Sequence, residues 1–292
     1  MLPNRNSHTF VTVENSVCKH MKNKDLFRVG FVQNNPVFAN IQANLSRVEK
    51  LLAGQSADLF VLPELFSTGY QFKDQEESRS LAELVPRGVT TSKLTAIAKK
   101  TNTFIIAGLV ETEGDQVYNS AVVTGPEGYI GKYRKLHLFG TEKDCFQQGN
   151  LPLQVFDIAG AKVGVMICFD WQFPETARTL AIMGADLIAH PSNLVLNHCP
   201  QAMITRCLEN RVFAITADRV GAENRLEGEE PLNFIGQSQV VDPNGNILIR
   251  ASMTDEEVHV VQLDLNLARN KSLNSRNHIF NDRRIDHYKL GK

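Results

Sequence analysis

Short apolar runs and amphipathic segments take turns along the chain. Residues 27–31 form the first apolar run. Residues 40–53 follow, with Ile41, Leu45, Val48 and Leu52 at helical spacing, which predicts an amphipathic helix. Residues 58–64 and 103–110 are apolar nearly throughout, so they read as strands buried on both faces. Between them, 71–80 is polar and reads as surface, and 91–100 reads as a helix. Residues 119–132 read as a hairpin turning at Gly125-Pro126-Glu127-Gly128.

The second half repeats this order. An apolar strand at 163–168 leads into a helix at 174–183, with Pro174 suited to its first turn. Then come a strand at 185–193, a helix at 201–210 and a strand at 212–217. A second hairpin at 236–250 turns at Asp242-Pro243-Asn244-Gly245, and 258–265 is a late strand. Strands alternating with helices indicate βα units and mainly parallel pairing. Two such halves, each a sheet with helices on one face, would bury their bare faces together. The expected fold is therefore α/β, a four-layer α-β-β-α sandwich. Residues 26–292 read as one domain with its C-terminal tail, and 1–25 as an extension outside the fold, disordered or lying across a neighbour.

Composition narrows the class. The formal net charge is -1, which argues against a nucleic-acid or polybasic membrane surface. No apolar run approaches the ~20 residues of a membrane helix, and the polar first 24 residues hold no signal-peptide core. The five cysteines (Cys18, Cys145, Cys168, Cys199, Cys207) are scattered with no CxxC pair. That pattern suits free thiols in a reducing cytoplasm, neither a disulfide framework nor a zinc site. With no metal-ligand spacing and no glycine-rich phosphate loop, no cofactor is expected.

Three strand ends carry groups that can cooperate: Glu64, Lys135 and Cys168. Strand carboxyl ends face the ligand crevice in α/β folds. A thiol needs deprotonation to attack, a carboxylate can take its proton, and an ammonium can stabilise both the thiolate and a later oxyanion. Burial beside an apolar strand should raise the pKa of Glu64 toward neutrality. Tyr70 and Asn193 lie near the same crevice and are candidates to contact substrate. His137 and His190 read as satisfied core residues rather than as partners in a Cys–His pair.

The segments Leu62-Pro63-Glu64, Tyr133-Arg134-Lys135-Leu136-His137-Leu138 and Ile167-Cys168-Phe169-Asp170-Trp171-Gln172-Phe173-Pro174-Glu175 resemble the carbon–nitrogen hydrolase (nitrilase) superfamily, in the same order, over roughly residues 27–285. Val163-Gly164-Val165-Met166-Ile167-Cys168-Phe169-Asp170-Trp171 and Ala217-Asp218-Arg219-Val220-Gly221 are most similar to small aliphatic nitrilases of hyperthermophilic archaea. The resemblance implies the nitrilase-type sandwich, with Glu64 as general base, Cys168 as nucleophile and Lys135 as stabiliser of the tetrahedral intermediate. It implies a second glutamate that places the substrate; Glu142, seven residues before Gly149, fits. It also implies that the Phe169 N–H joins the oxyanion hole, and that copies of the chain pair into a homodimer or higher homo-oligomer.

The resemblance constrains the substrate less. Carbamoylases for amino acids carry arginines just after the nucleophile, whereas this chain has Trp171 and Gln172, so an α-carboxylate is disfavoured. Cys168-Phe169-Asp170 is the more amidase-like form, against the archaeal nitrilase likeness. The expected activity is hydrolysis of a small aliphatic amide or nitrile through a thioester or thioimidate, with ammonia released. An N-carbamoyl amine amidohydrolase and a non-catalytic binding protein on the same fold are the alternatives.

Overall fold

A computed structural model describes residues 25–288. The expected extension lies almost wholly outside them. The strand Leu26–Gln33 starts the fold. It pairs in parallel with Leu59–Val61, which pairs in parallel with Phe104–Glu113. The hairpin strands Gln116–Gly125 and Gly128–Arg134 continue the sheet antiparallel. The second sheet has a parallel centre, Ala161–Val165, Leu187–Pro191 and Phe213–Ala217. Antiparallel strands flank it: Val155–Ile158 on one side, Gln239–Val241 and Ile247–Arg250 on the other. The pairing is thus mixed, not mainly parallel. Each sheet carries an edge hairpin, whose short turn permits only an antiparallel neighbour.

Leu59 and Val61 point to the other sheet while Phe60 points outward, as the two-residue period of a strand requires. Both faces are buried, which is why residues 59–62 are apolar without alternation. Between the sheets, Phe27, Val29 and Phe31 pack with Val163, Val165, Leu187 and Ile215 in one core. Outside the first sheet, the helices Ile41–Leu52 and Val89–Thr101 bury Leu45, Val48, Leu94 and Ile97 against Phe60 and Leu62. The Asn40 side chain caps the first of these helices, accepting from Ala43 N–H at 3.2 Å. Outside the second sheet lie Pro174–Ile182 and Cys199–Asn210. The expected four layers are present.

One more expectation is corrected. Residues 71–80 are not simply surface: Gln71, Phe72 and Ser78 are buried, and Gln75–Ser80 is a short helix capped by Asp74. Its polar residues are consumed by specific partners, such as the Glu77 carboxylate taking the Arg225 guanidinium. The late strand, Glu257–Asp264, returns to the first sheet and pairs antiparallel with Leu26–Gln33 along its whole length. No described helix is long and apolar enough to cross a membrane.

Candidate functional site

Glu64 lies three residues beyond the strand Leu59–Val61, in a turn rather than at the strand end. The turn lies so close to the next strand that a Cβ on Gly108 would stand 2.5 Å from Glu64 Cα. Only glycine admits this approach. Lys135 follows the hairpin strand Gly128–Arg134, and a Cβ on Gly149 would meet the Arg134 and Lys135 carbonyl oxygens at 2.4 and 2.7 Å. Two glycines of unrelated sequence position therefore let the chain bring Glu64 and Lys135 inward.

There the two side chains meet. Lys135 Nζ donates to Glu64 Oε1 at 2.7 Å and to Glu142 Oε1 at 2.7 Å. Asn119 Nδ2 also donates to Glu64 Oε1, at 2.7 Å. Glu64 Oε2, fully buried, takes no hydrogen bond from the described residues. Glu142 is held from two further sides, by Tyr70 Oη at 2.6 Å and by Phe139 N–H at 3.1 Å.

Cys168 opens a 3₁₀ turn, Cys168–Gln172, just past the strand Ala161–Val165. Its φ of 40° lies in the left-handed region, unusual for a side chain with a Cβ. The thiol is 5% exposed, with Sγ 3.8 Å from the Asn193 carbonyl oxygen. Asn193 Nδ2 in turn donates to the Glu64 carbonyl oxygen at 2.9 Å. Asn193 thus ties the Cys168 turn to the Glu64 turn.

The electrostatics are those of opposed charges buried from bulk solvent. Burial pushes Glu64 up to about 7, with Lys135 opposing and Glu142 assisting the rise. Burial also raises the Cys168 thiol well above its usual range; Glu64 adds to this and Lys135 counteracts it. Burial would lower the Lys135 ammonium, but the carboxylates of Glu142 and Glu64 outweigh it and raise its pKa. Lys135 therefore stays charged between the two carboxylates.

His190 is buried, Nδ1 3.1 Å from Thr216 Oγ1 and Nε2 2.9 Å from the Cys168 carbonyl oxygen. Burial pulls its pKa down to about 4, so it is a neutral core residue, as its sequence context indicated. His137 is only half-buried, its ring stacked on Phe173 at 3.7 Å.

A narrow cleft reaches Cys168 between Phe139, Phe169, Trp171, Asn193 and Leu194; its free volume is about 10 Å³, the room of one water. A larger groove of about 500 Å³ lies beyond Phe169, but Glu64, Lys135 and Cys168 do not line it. Of the residues read as substrate contacts, Phe169, Trp171 and Asn193 line the cleft. Tyr70 does not; its hydroxyl is engaged by Glu142. Gln172 is exposed, so only Trp171 of that pair faces the cleft. Sequence reading passed over Asn119, Gly108 and Asp170. None stood out locally: Asn119 shares its strand with Gln116, Ser120 and Thr124, and Asp170 was read only as part of the Cys168-Phe169-Asp170 string.

The chain matches the family described as carbon-nitrogen hydrolase over residues 28–271. A curated protein named nitrilase, from Pyrococcus abyssi, is 51% identical over 266 residues, covering 90% of this chain and 99% of that one. An (R)-stereoselective amidase from a Pseudomonas species is 35% identical over 227 residues, 76% of this chain and 79% of that one. The crystal structure of a carbon-nitrogen hydrolase from Helicobacter pylori G27 superposes with a TM-score of 0.81 at 26% identity, covering 92% of this chain and 99% of that one.

Proposed function

Because the chain belongs to the carbon–nitrogen hydrolase family, we propose that it hydrolyses a small aliphatic amide or nitrile through a covalent bond to Cys168. The observation that carries this reading is the buried Glu64, one oxygen held by Lys135 and Asn119 and the other unengaged, acting on the field at the Cys168 thiol.

In this reading Glu64 Oε2 takes the thiol proton as Sγ bonds to the substrate carbon. With an amide, the carbonyl π pair moves onto oxygen, opposite the Lys135 ammonium and the Phe169 N–H. The C–N bond then breaks, Glu64 returns the proton to nitrogen, and ammonia leaves a thioester. Water attacks next, its proton passing to Glu64. The C–S bond breaks, the acid departs, and the proton goes back to sulfur. A nitrile enters one step earlier. Attack on its carbon gives a thioimidate, protonated on nitrogen by Glu64, and addition of water and loss of ammonia then give the same thioester. Glu142 holds Lys135 in place and faces the same charge.

The narrow cleft supports a small substrate, and Trp171 offers no guanidinium fork for a carboxylate. The test is ammonia release from a panel of aliphatic amides, dinitriles and carbamoyl amines, with Cys168→Ala alongside. Release by wild type, lost in the variant, with an acyl adduct on Cys168 in the mass spectrum, supports the reading. Undiminished release by Cys168→Ala overturns it.

We also propose self-association through the neighbouring helices Pro174–Ile182 and Cys199–Asn210. Ile182 and Leu208 are 49% and 52% exposed on them, and nothing else in the described chain covers them. Sedimentation at micromolar concentration should give a multiple of 32.6 kDa; a monomer mass refutes it.

A further inference from the structure

Asp170 lies two residues past Cys168 and is fully buried. Its carboxylate is shared among four contacts. Oδ2 accepts from Tyr133 Oη at 2.7 Å and from the Ile167 N–H at 2.9 Å. Oδ1 accepts from the His137 N–H at 3.1 Å and lies 2.7 Å from His137 Nδ1.

The positions of these partners matter. Tyr133 and His137 stand two residues either side of Lys135, and Ile167 immediately precedes Cys168. The Lys135 segment leaves a strand of the first sheet, while the Cys168 turn leaves a strand of the second. No backbone ladder joins strands of different sheets. Apolar packing between sheets is non-directional and sets a separation more firmly than a register. Directional hydrogen bonds across the gap are what set one segment against the other.

We infer that Asp170 is a positioning residue that fixes Lys135 relative to the Cys168 thiol. The inference rests on the reading of Cys168 as nucleophile. Lys135 lowers the thiol pKa against the raising effects of burial, Glu64 and Glu142, so its placement governs how readily thiolate forms. The groups facing Cys168 are Glu64, Lys135, Glu142 and Tyr70; those facing Asp170 are Tyr133 and His137, with His190 sensing its charge. An amide at position 170 has one acceptor oxygen where the carboxylate has two. Asp170→Asn must therefore turn an NH₂ toward one backbone N–H, that of Ile167 or that of His137, neither of which can accept.

The decisive measurement needs no substrate. Alkylation of Cys168 by iodoacetamide is followed against pH by peptide mass spectrometry, which separates it from the buried Cys145, Cys199 and Cys207. Asp170→Asn should move the alkylation midpoint upward by about one unit, slowing the reaction ~tenfold at neutral pH. It should lower kcat more than it raises KM. Tyr133→Phe, which leaves the carboxylate, should shift the midpoint the same way by less. A merely structural role lowers the melting temperature and leaves the midpoint where it was.

A folded Asp170→Asn with the wild-type midpoint overturns the inference. If that variant does not fold, Tyr133→Phe combined with His137→Ala decides it, and an unmoved midpoint there is equally fatal. If the wild type releases ammonia from no member of the panel, the functional reading fails, but the midpoint comparison still stands on its own.

Discussion

Arg134 and Lys135 are neighbours in sequence, yet each serves a different buried carboxylate. Arg134 goes to Glu111, with Nε on Oε2 at 3.0 Å and Nη2 on Oε1 at 2.5 Å. Lys132 also reaches Glu111 Oε1, and Ser120 Oγ donates to Oε2 at 2.6 Å. Burial would raise the Glu111 pKa, but the hydrogen bonds from Arg134, Lys132 and Ser120 outweigh it and hold it below the usual value. Lys135 goes to Glu64, which has fewer donors, must share its ammonium with Glu142, and is pushed up to about 7.

Both glutamates are fully shielded. What separates them is the supply of donors. A guanidinium fork, an ammonium and a hydroxyl satisfy both oxygens of Glu111 and make it a permanent anion. One shared ammonium and one amide satisfy a single oxygen of Glu64 and leave it able to exchange a proton near neutral pH. The first arrangement suits a tie and the second a base.

This contrast makes quantitative demands, the largest on Glu64. Glu64→Gln keeps the shape and removes the proton acceptor, so ammonia release should fall by about 10²–10⁴-fold with little change in melting temperature. Retention of more than a tenth of the rate would remove Glu64 from the mechanism. Glu111→Gln should do the reverse. It leaves buried Arg134 with the exposed Glu113 as its remaining carboxylate, at 3.0 Å, so the loss should reach up to about 3–5 kcal/mol, the range for breaking a buried pair. Denaturant titration measures this, and a loss of turnover exceeding the loss of folded protein would contradict the division of roles.

The pH dependence comes next in size. Glu64 must be ionised to act, and its pKa is raised, so kcat/KM should rise as pH increases through about 7. Between one unit below that value and one above, the ionised fraction grows roughly tenfold. A profile flat from pH 6 to 8 would speak against Glu64 as the titrating base. The smallest effect belongs to Tyr70→Phe, which removes one donor from Glu142. Hydrogen bonds to charged groups are worth about 1.5–3 kcal/mol, and since Lys135 and the Phe139 N–H still hold Glu142, the loss should fall at or below the low end, roughly fivefold in kcat/KM. A gain in activity would mean that the hydrogen bond from Tyr70 holds Glu142 in a less productive position.

Much of this was open to reading from the chain alone. Periodicity located most of the long strands and helices, since a strand buried on both faces and an amphipathic helix have different apolar spacings. The repeated element order indicated two sheets back to back. Glu64, Lys135 and Cys168 stood out because polar groups follow apolar runs there. Glu142 came through resemblance, and the structure seats it on Lys135. Less visible were the return of Glu257–Asp264 to the first sheet, the tie made by Asp170, and the engagement of Tyr70 by Glu142. Each depends on a partner far away in sequence, with no local pattern to announce it.

Apolar periodicity is a local property, so the chain's order of residues determined which segments become strands and helices, and which chemical groups sit at their ends. Whether a buried glutamate becomes a tie or a base is not local. Apolar spacing alone does not separate the adjacent cations Arg134 and Lys135; resemblance singled out Lys135. The tertiary structure decides, by counting the donors that Asn119, Ser120, Lys132 and Glu142 bring or withhold at each carboxylate. Inside a low-dielectric core that count sets the charge.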